Sequence, residues 1–158
     1  KTIGQQYALG QRTMDINEIS RLVMKLSEKV GRRLRRANLT AGGIYITLGF
    51  EGYKFFGHRQ KTKERLFATQ QIYFAAMKII RSIDMPSKVT NLSVTVYDLK
   101  DLKYRQISLF NAFDSDLYSI ADASDEVNDR YGEFTITPAL MANMQDVIIK
   151  RVAFGKIE

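Results

Sequence analysis

At 158 residues the chain can form one domain with a real core, or a small domain plus an extension. The absence of cysteine excludes disulfides, thiolate nucleophiles and Cys-based zinc sites together. A formal net charge of +7 and a pI near 9.6 fit nucleic acid or an anionic surface as partner. The charge is uneven: residues 1–105 carry 20 Lys+Arg against 8 Asp+Glu, and residues 106–158 carry 4 against 9, so the basic and acidic parts read as separate units. Apolar runs are short and broken by charge, so nothing reads as a signal peptide or a membrane span, and a reducing cytoplasm is a compatible location. The chain opens at Lys1 on a strand-like segment, which suggests a piece of a longer protein.

In chain order, Lys1–Leu9 (KTIGQQYAL) reads as extended. Asp15 and Glu18 have capping-box spacing and open a helix whose apolar stripe is Ile19, Leu22, Val23, Leu26, Val30 and Leu34. Its other faces carry Arg21, Lys25, Lys29, Arg32, Arg33, Arg35 and Arg36. This run fits a nucleic-acid helix or a solvated charged face, and cations in the last turn suit the helix dipole. Ile44, Ile46, Leu48 and Phe50 then alternate with Tyr45, Thr47 and Gly49 as a strand with one buried face. Glu51-Gly52 makes a tight turn into YKFFGHRQKTKER, Tyr53 to Arg65, where three aromatics run into His58, Arg59, Lys61, Lys63 and Arg65. Such a strand can grip a line of phosphates, or simply be an edge strand charged against aggregation. Lys63 and Arg65 can equally be helix-entry charge. A second helix is expected from about Ala68 to Ile83, stopped by Met85-Pro86, followed by a strand in which Leu92, Val94 and Val96 alternate with polar residues.

The order strand, helix, strand, strand, helix, strand predicts an α+β fold, a βαββαβ four-stranded antiparallel sheet with two helices packed on one face. The other face is left to solvent or ligand. It would hold Tyr45, Thr47 and either the Arg59/Lys61 or the His58/Thr62 set, unless a bulge near Gly57 turned both sets to one partner.

These residues carry a resemblance. KTIG at Lys1–Gly4, HRQKT at His58–Thr62 and the βαββαβ order together resemble the little finger domain of Y-family translesion DNA polymerases, of the bacterial polymerase IV type. The resemblance spans about residues 1–100. It implies a non-catalytic domain that lies in the major groove of primer-template duplex DNA and contacts phosphates through its sheet. Carried over by position, the implied DNA contacts are Lys1, Thr2 and Gly4 on the first strand, and His58, Arg59, Lys61 and Thr62 on the hairpin. His58 departs from the family pattern, standing where many members have a small hydroxyl residue. The resemblance also implies catalytic domains upstream of Lys1, and Mg for that catalytic part alone.

Gln106-Ile107-Ser108-Leu109-Phe110 (QISLF) resembles the bacterial sliding-clamp-binding peptide of polymerases. Leu109 and Phe110 are adjacent apolar anchors and Gln106 offers a rim amide; a packed linker is the other reading. The expected organisation is residues 1–105 as the DNA-binding domain, 106–110 as the clamp peptide and 111–158 as a C-terminal extension. Leu117–Arg130 reads as a short amphipathic helix capped by Gly132, and the acidic extension would either fold back on the basic domain or keep the tail off DNA. Ser124-Asp125-Glu126 superficially resembles a palm carboxylate motif, but without companion strand carboxylates it reads as a solvated helix start. His58 is the single histidine, so no catalytic residues and no metal site are assigned. The competing readings are an RNA-binding α/β sandwich stacking bases on Tyr45, Tyr53 or Phe55, and an interaction domain of another DNA-processing enzyme.

Overall fold

The computed structural model describes residues 1–102, 112–132, 134–142 and 153–154. Its elements are β1 (Thr2–Thr13), α1 (Ile16–Arg36), β2 (Leu39–Phe50), β3 (Phe55–Leu66), α2 (Thr69–Ile80), β4 (Val89–Asp101), α3 (Ala112–Tyr131) and β5 (Ala153–Phe154). The sheet order is β3-β2-β4-β1-β5, with every pairing antiparallel. The expected βαββαβ core is therefore present. A short fifth strand from the extension adds to it along β1, opposite Gly4 and Gln5.

Period-two alternation builds one face of the sheet. Ile3, Ile44, Ile46, Leu48, Leu92, Val94 and Val96 are all fully buried, and α1 covers them with Ile19, Val23, Leu26, Val30 and Leu34. Ile72, Ala76, Ile79 and Ile80 of α2 complete the same core. Each buried Ile, Leu or Val side chain contributes about 1.5–3 kcal/mol, so this layer is a major source of stabilisation.

Caps fix the helix ends. The Asp15 carboxylate accepts from the Asn17 N–H at 2.8 Å, while the Asp15 N–H donates to Thr13 Oγ1 rather than to Glu18. Gln71 Oε1 accepts from the N–H groups of Phe67 and Ala68, at 2.9 and 3.0 Å, and so sets the start of α2. That helix ends at Ile80, short of the expected Ile83, where the Ser82 hydroxyl takes up the Ile79 carbonyl at 2.7 Å.

The charged side of α1 is not the solvated face that its composition suggests, because the acidic extension folds back onto it. Arg35 donates through Nε and Nη2 to both carboxylate oxygens of Asp125, and Arg32 and Arg36 share Asp129. Thr69 joins the buried group, accepting from Arg35 at 3.3 Å and donating to Glu28 at 2.6 Å. Tyr118 packs on Phe67 with ring centres 4.3 Å apart, and Lys29 lies over the Phe134 ring. Asn128 bonds Ile136 through both its amide oxygen and its amide nitrogen, pinning the segment that follows Gly132. Lys25, expected at the surface, is only 2% exposed and lies over the Tyr7 ring.

Two expectations are corrected here. The extension's helix is a 20-residue element rather than a short one. Asp125 is no solvated helix start, since α3 begins at Ala112 and Asp125 lies buried in its middle. A carboxylate that reads as surface charge in sequence is here the partner of a buried guanidinium. Among the described residues, no helix is long and apolar enough to cross a membrane.

Candidate nucleic-acid interface

Strand register decides which cations share a face. Directly paired residues point to the same side of a sheet. Lys61 pairs with Gly43, Gly43 with Tyr97 and Tyr97 with Thr2; in the next row Arg59, Tyr45, Thr95 and Gly4 are aligned in the same way. A third row runs Gly57, Thr47, Ser93, Gln6, and the Thr47 and Ser93 hydroxyls meet at 2.6 Å. All these residues lie on the face opposite the helices. The open face thus carries Arg59 and Lys61 on β3 at one side and Thr2 and Gly4 on β1 at the other.

His58 pairs with Ile46 and so belongs to the helix-side face. It is nevertheless exposed, because β3 is the edge strand there, and its ring stacks on Phe56 at 6.3 Å. The hairpin register shifts not near Gly57 but at its far end. Leu66 pairs with Ala41 and Lys61 with Gly43, so Thr62–Arg65 stand against Gly42 alone. The bulge turns the Thr62 hydroxyl into the protein, where it is buried without a hydrogen-bond partner among the described residues. Arg65 ties the bulge down: it donates to the Thr40 hydroxyl at 2.7 Å, to the Thr40 carbonyl at 2.9 Å and to Asp98 Oδ2 at 3.2 Å. It is a structural clip rather than helix-entry charge.

On the first strand, Lys1 and Thr2 are exposed and Gly4 is buried. The Gly4 carbonyl accepts from Arg33 Nη1 at 2.8 Å, and burial pushes the Arg33 guanidinium down from its ordinary value. The structure therefore brings together Thr2, Gly4, Arg59 and Lys61, with Lys1 entering from the strand end, and separates them from His58 and the Thr62 hydroxyl. Gln106–Phe110 lie outside the described residues.

The hairpin tip adds exposed aromatics. Gly52 and Tyr53 both adopt positive φ, 76° and 59°, which turns Tyr53 fully into solvent beside the exposed Phe55. One participant on the open face is missed by the sequence reading: Tyr97, whose ring lies beside Arg59. The alternation of Leu92, Val94 and Val96 does place Tyr97 on the outer face, but its proximity to Arg59 depends on register across three strands. Among the described residues, no cluster of three His, Cys, Asp or Glu side chains could hold a metal ion.

A profile of the impB/mucB/samB family C-terminal domain matches residues 1–109. The chain belongs to that family. The resemblance to the little finger domain of Y-family polymerases is thereby borne out. The chain is similar to the DNA polymerase IV of Clostridium acetobutylicum, 24% identical over 147 residues that cover 92% of this chain and 37% of that protein. It thus spans little more than a third of this relative's length. Among solved structures, the little finger domain of PolIV in complex with the beta-clamp processivity factor matches with a TM-score of 0.54 and 15% identity, over 70% of this chain and 99% of that one. The insertion ternary complex of Dbh DNA polymerase matches with a TM-score of 0.56 and 16% identity, over 64% and 29% respectively. At these identities the structural likeness speaks for the fold, and the little finger fold is what these chains share.

Proposed function

We propose that this chain is the DNA-binding little finger of a translesion DNA polymerase, itself non-catalytic, which grips the phosphates of primer-template duplex through its open sheet face. The observation that carries the reading is the alignment of Thr2 and Gly4 with Lys61 and Arg59 in two shared rows on that face. Strands β3 and β1 are three strand spacings apart, roughly 14 Å at about 4.8 Å each. That separation is near the width of a B-DNA major groove, roughly 12 Å. Cations and small polar residues along two such rails position a duplex without reading its bases. The likeness to a polymerase IV over most of this chain supports a parent enzyme that is a DNA-directed DNA polymerase; Mg belongs to the proposal as the cofactor of that enzyme's catalytic part. The likeness to a little finger complexed with a beta-clamp supports the reading of Gln106–Phe110 as a clamp-binding peptide.

The test is the salt dependence of binding to labelled primer-template DNA. Neutralising one phosphate fewer flattens the log–log slope by about 0.9. Arg59→Gln with Lys61→Gln should therefore flatten it by about 1.8. Unchanged slope and affinity in this double variant, or a strong preference for one DNA sequence or for single-stranded RNA, would sink the reading.

A further inference from the structure

The Arg59 guanidinium does not stand free above the open face. Its central carbon lies 5.0 Å from the ring centre of Tyr45, its direct cross-strand partner, and 5.7 Å from that of Tyr97. The two rings can reach across the sheet only because the positions they cross, Gly43 in the row of Tyr97 and Gly57 one row along from Tyr45, lack side chains. A Cβ on Gly43 would fall 2.3 Å from Tyr97 Cζ, and one on Gly57 would fall 2.8 Å from the Tyr45 hydroxyl oxygen. Glycine weakens a strand interior, so two of them on one face mark a place where something must approach the backbone closely. Here the approaching groups are the two tyrosine rings, and both end beside the same cation.

Resting on the phosphate-gripping reading above, we propose that Tyr45 and Tyr97 are positioning residues for Arg59, with Gly43 and Gly57 the gaps that admit them. The rings attract the guanidinium electrostatically and confine a long side chain that would otherwise sample many rotamers. Arg59 thereby meets the DNA backbone already placed, in contrast to the exposed Lys61 one row away, whose cross-strand partner is a glycine. Tyr45 and Tyr97 act through Arg59 and need no contact with DNA themselves.

The experiment is a double-mutant cycle in the full 158-residue chain. Binding to labelled primer-template DNA is measured across a salt series for the wild type, Tyr97→Leu, Arg59→Gln and the combination, with Tyr97→Phe as the ring-retaining control. Arg59→Gln should flatten the salt slope by about 0.9. Tyr97→Leu should weaken binding roughly two- to fivefold, the range of a single cation–π contact, with the slope retained. Tyr97→Phe should bind as the wild type does, and Tyr97→Leu should have no further effect once Arg59 is Gln. Tyr45→Leu is the second variant and should behave as Tyr97→Leu does. An equal loss from Tyr97→Leu in both backgrounds, or no loss in either, overturns the positioning role while leaving the phosphate grip intact. If Arg59→Gln changes neither slope nor affinity, the grip itself fails, and the positioning role falls with it because nothing remains to be positioned.

Discussion

Arg35 and Asp125, 90 positions apart in the chain, meet in a two-point ion pair between α1 and α3. The pair is buried on both sides, and Thr69 and Glu28 complete its hydrogen bonding. Such a pair is weak evidence of net stabilisation, since desolvating both charges offsets much of their attraction. Removing one partner is a different matter.

Asp125→Ala leaves the Arg35 guanidinium buried with Glu28 and Thr69 but without its principal counter-charge. The expected loss is about 3–5 kcal/mol, the range for breaking a buried pair from one side. Urea unfolding followed by circular dichroism gives the midpoint and slope. Replacing both partners with apolar residues should cost less than Asp125→Ala alone, and a double variant that costs more would show that the pair itself is worth more than its burial.

The neighbouring clasp should be sensitive to acid. Hydrogen bonds from Arg36 and then Arg32 hold the Asp129 carboxyl below its ordinary value of 3.8. Because the folded value is depressed, the associated stability is fully present above 3.8 and is lost as the pH falls through the folded value. The difference in urea midpoint between the wild type and Asp129→Asn should therefore be constant near neutrality and shrink in acid. A difference that persists unchanged through acid would contradict this assignment.

Tyr73→Phe tests the contact between the two helices. The Tyr73 and Ser20 hydroxyls meet at 2.7 Å in a buried site. Losing one leaves the other unsatisfied, at a cost of about 1–3 kcal/mol. Adding Ser20→Ala should recover part of that loss, and thermal melts of the two variants provide the comparison.

For the clamp peptide, Leu109→Ala with Phe110→Ala should reduce binding to a bacterial sliding clamp by more than about tenfold, since apolar anchors of this kind are worth about 2 kcal/mol or more. Primer-template affinity should stay unchanged. Calorimetry with purified clamp measures the first, and the salt series measures the second. Clamp binding that survives both substitutions would leave QISLF as linker.

The sheet and its helical layer were legible because period is a local property. Ile44, Ile46, Leu48 and Phe50 announce a buried face without reference to any other segment, and the stripe from Ile19 to Leu34 does the same at helical spacing. Choosing between Arg59/Lys61 and His58/Thr62 was a different problem. Both sets obey the same alternation, and only the pairing of Tyr45 with Arg59 assigns the face. Tyr97 was hidden for the same reason. The arginines of α1 misled because amphipathic logic sends charge to solvent, whereas Asp125 and Asp129 arrive from a distant segment and take Arg35, Arg32 and Arg36 with them. Long-range charge pairing of this kind has no periodic signature.

A sheet can recruit a second chain only through an edge that still offers unpaired backbone groups. In this domain β5 occupies the β1 edge at Gly4 and Gln5, so self-association by strand addition at that point would first have to displace β5. At the opposite edge of the sheet, two copies laid antiparallel along β3 would bring Arg59, Lys61 and Lys63 of one against the same cations of the other. The strand proposed to hold DNA would thus also oppose edge-to-edge pairing of two copies through β3.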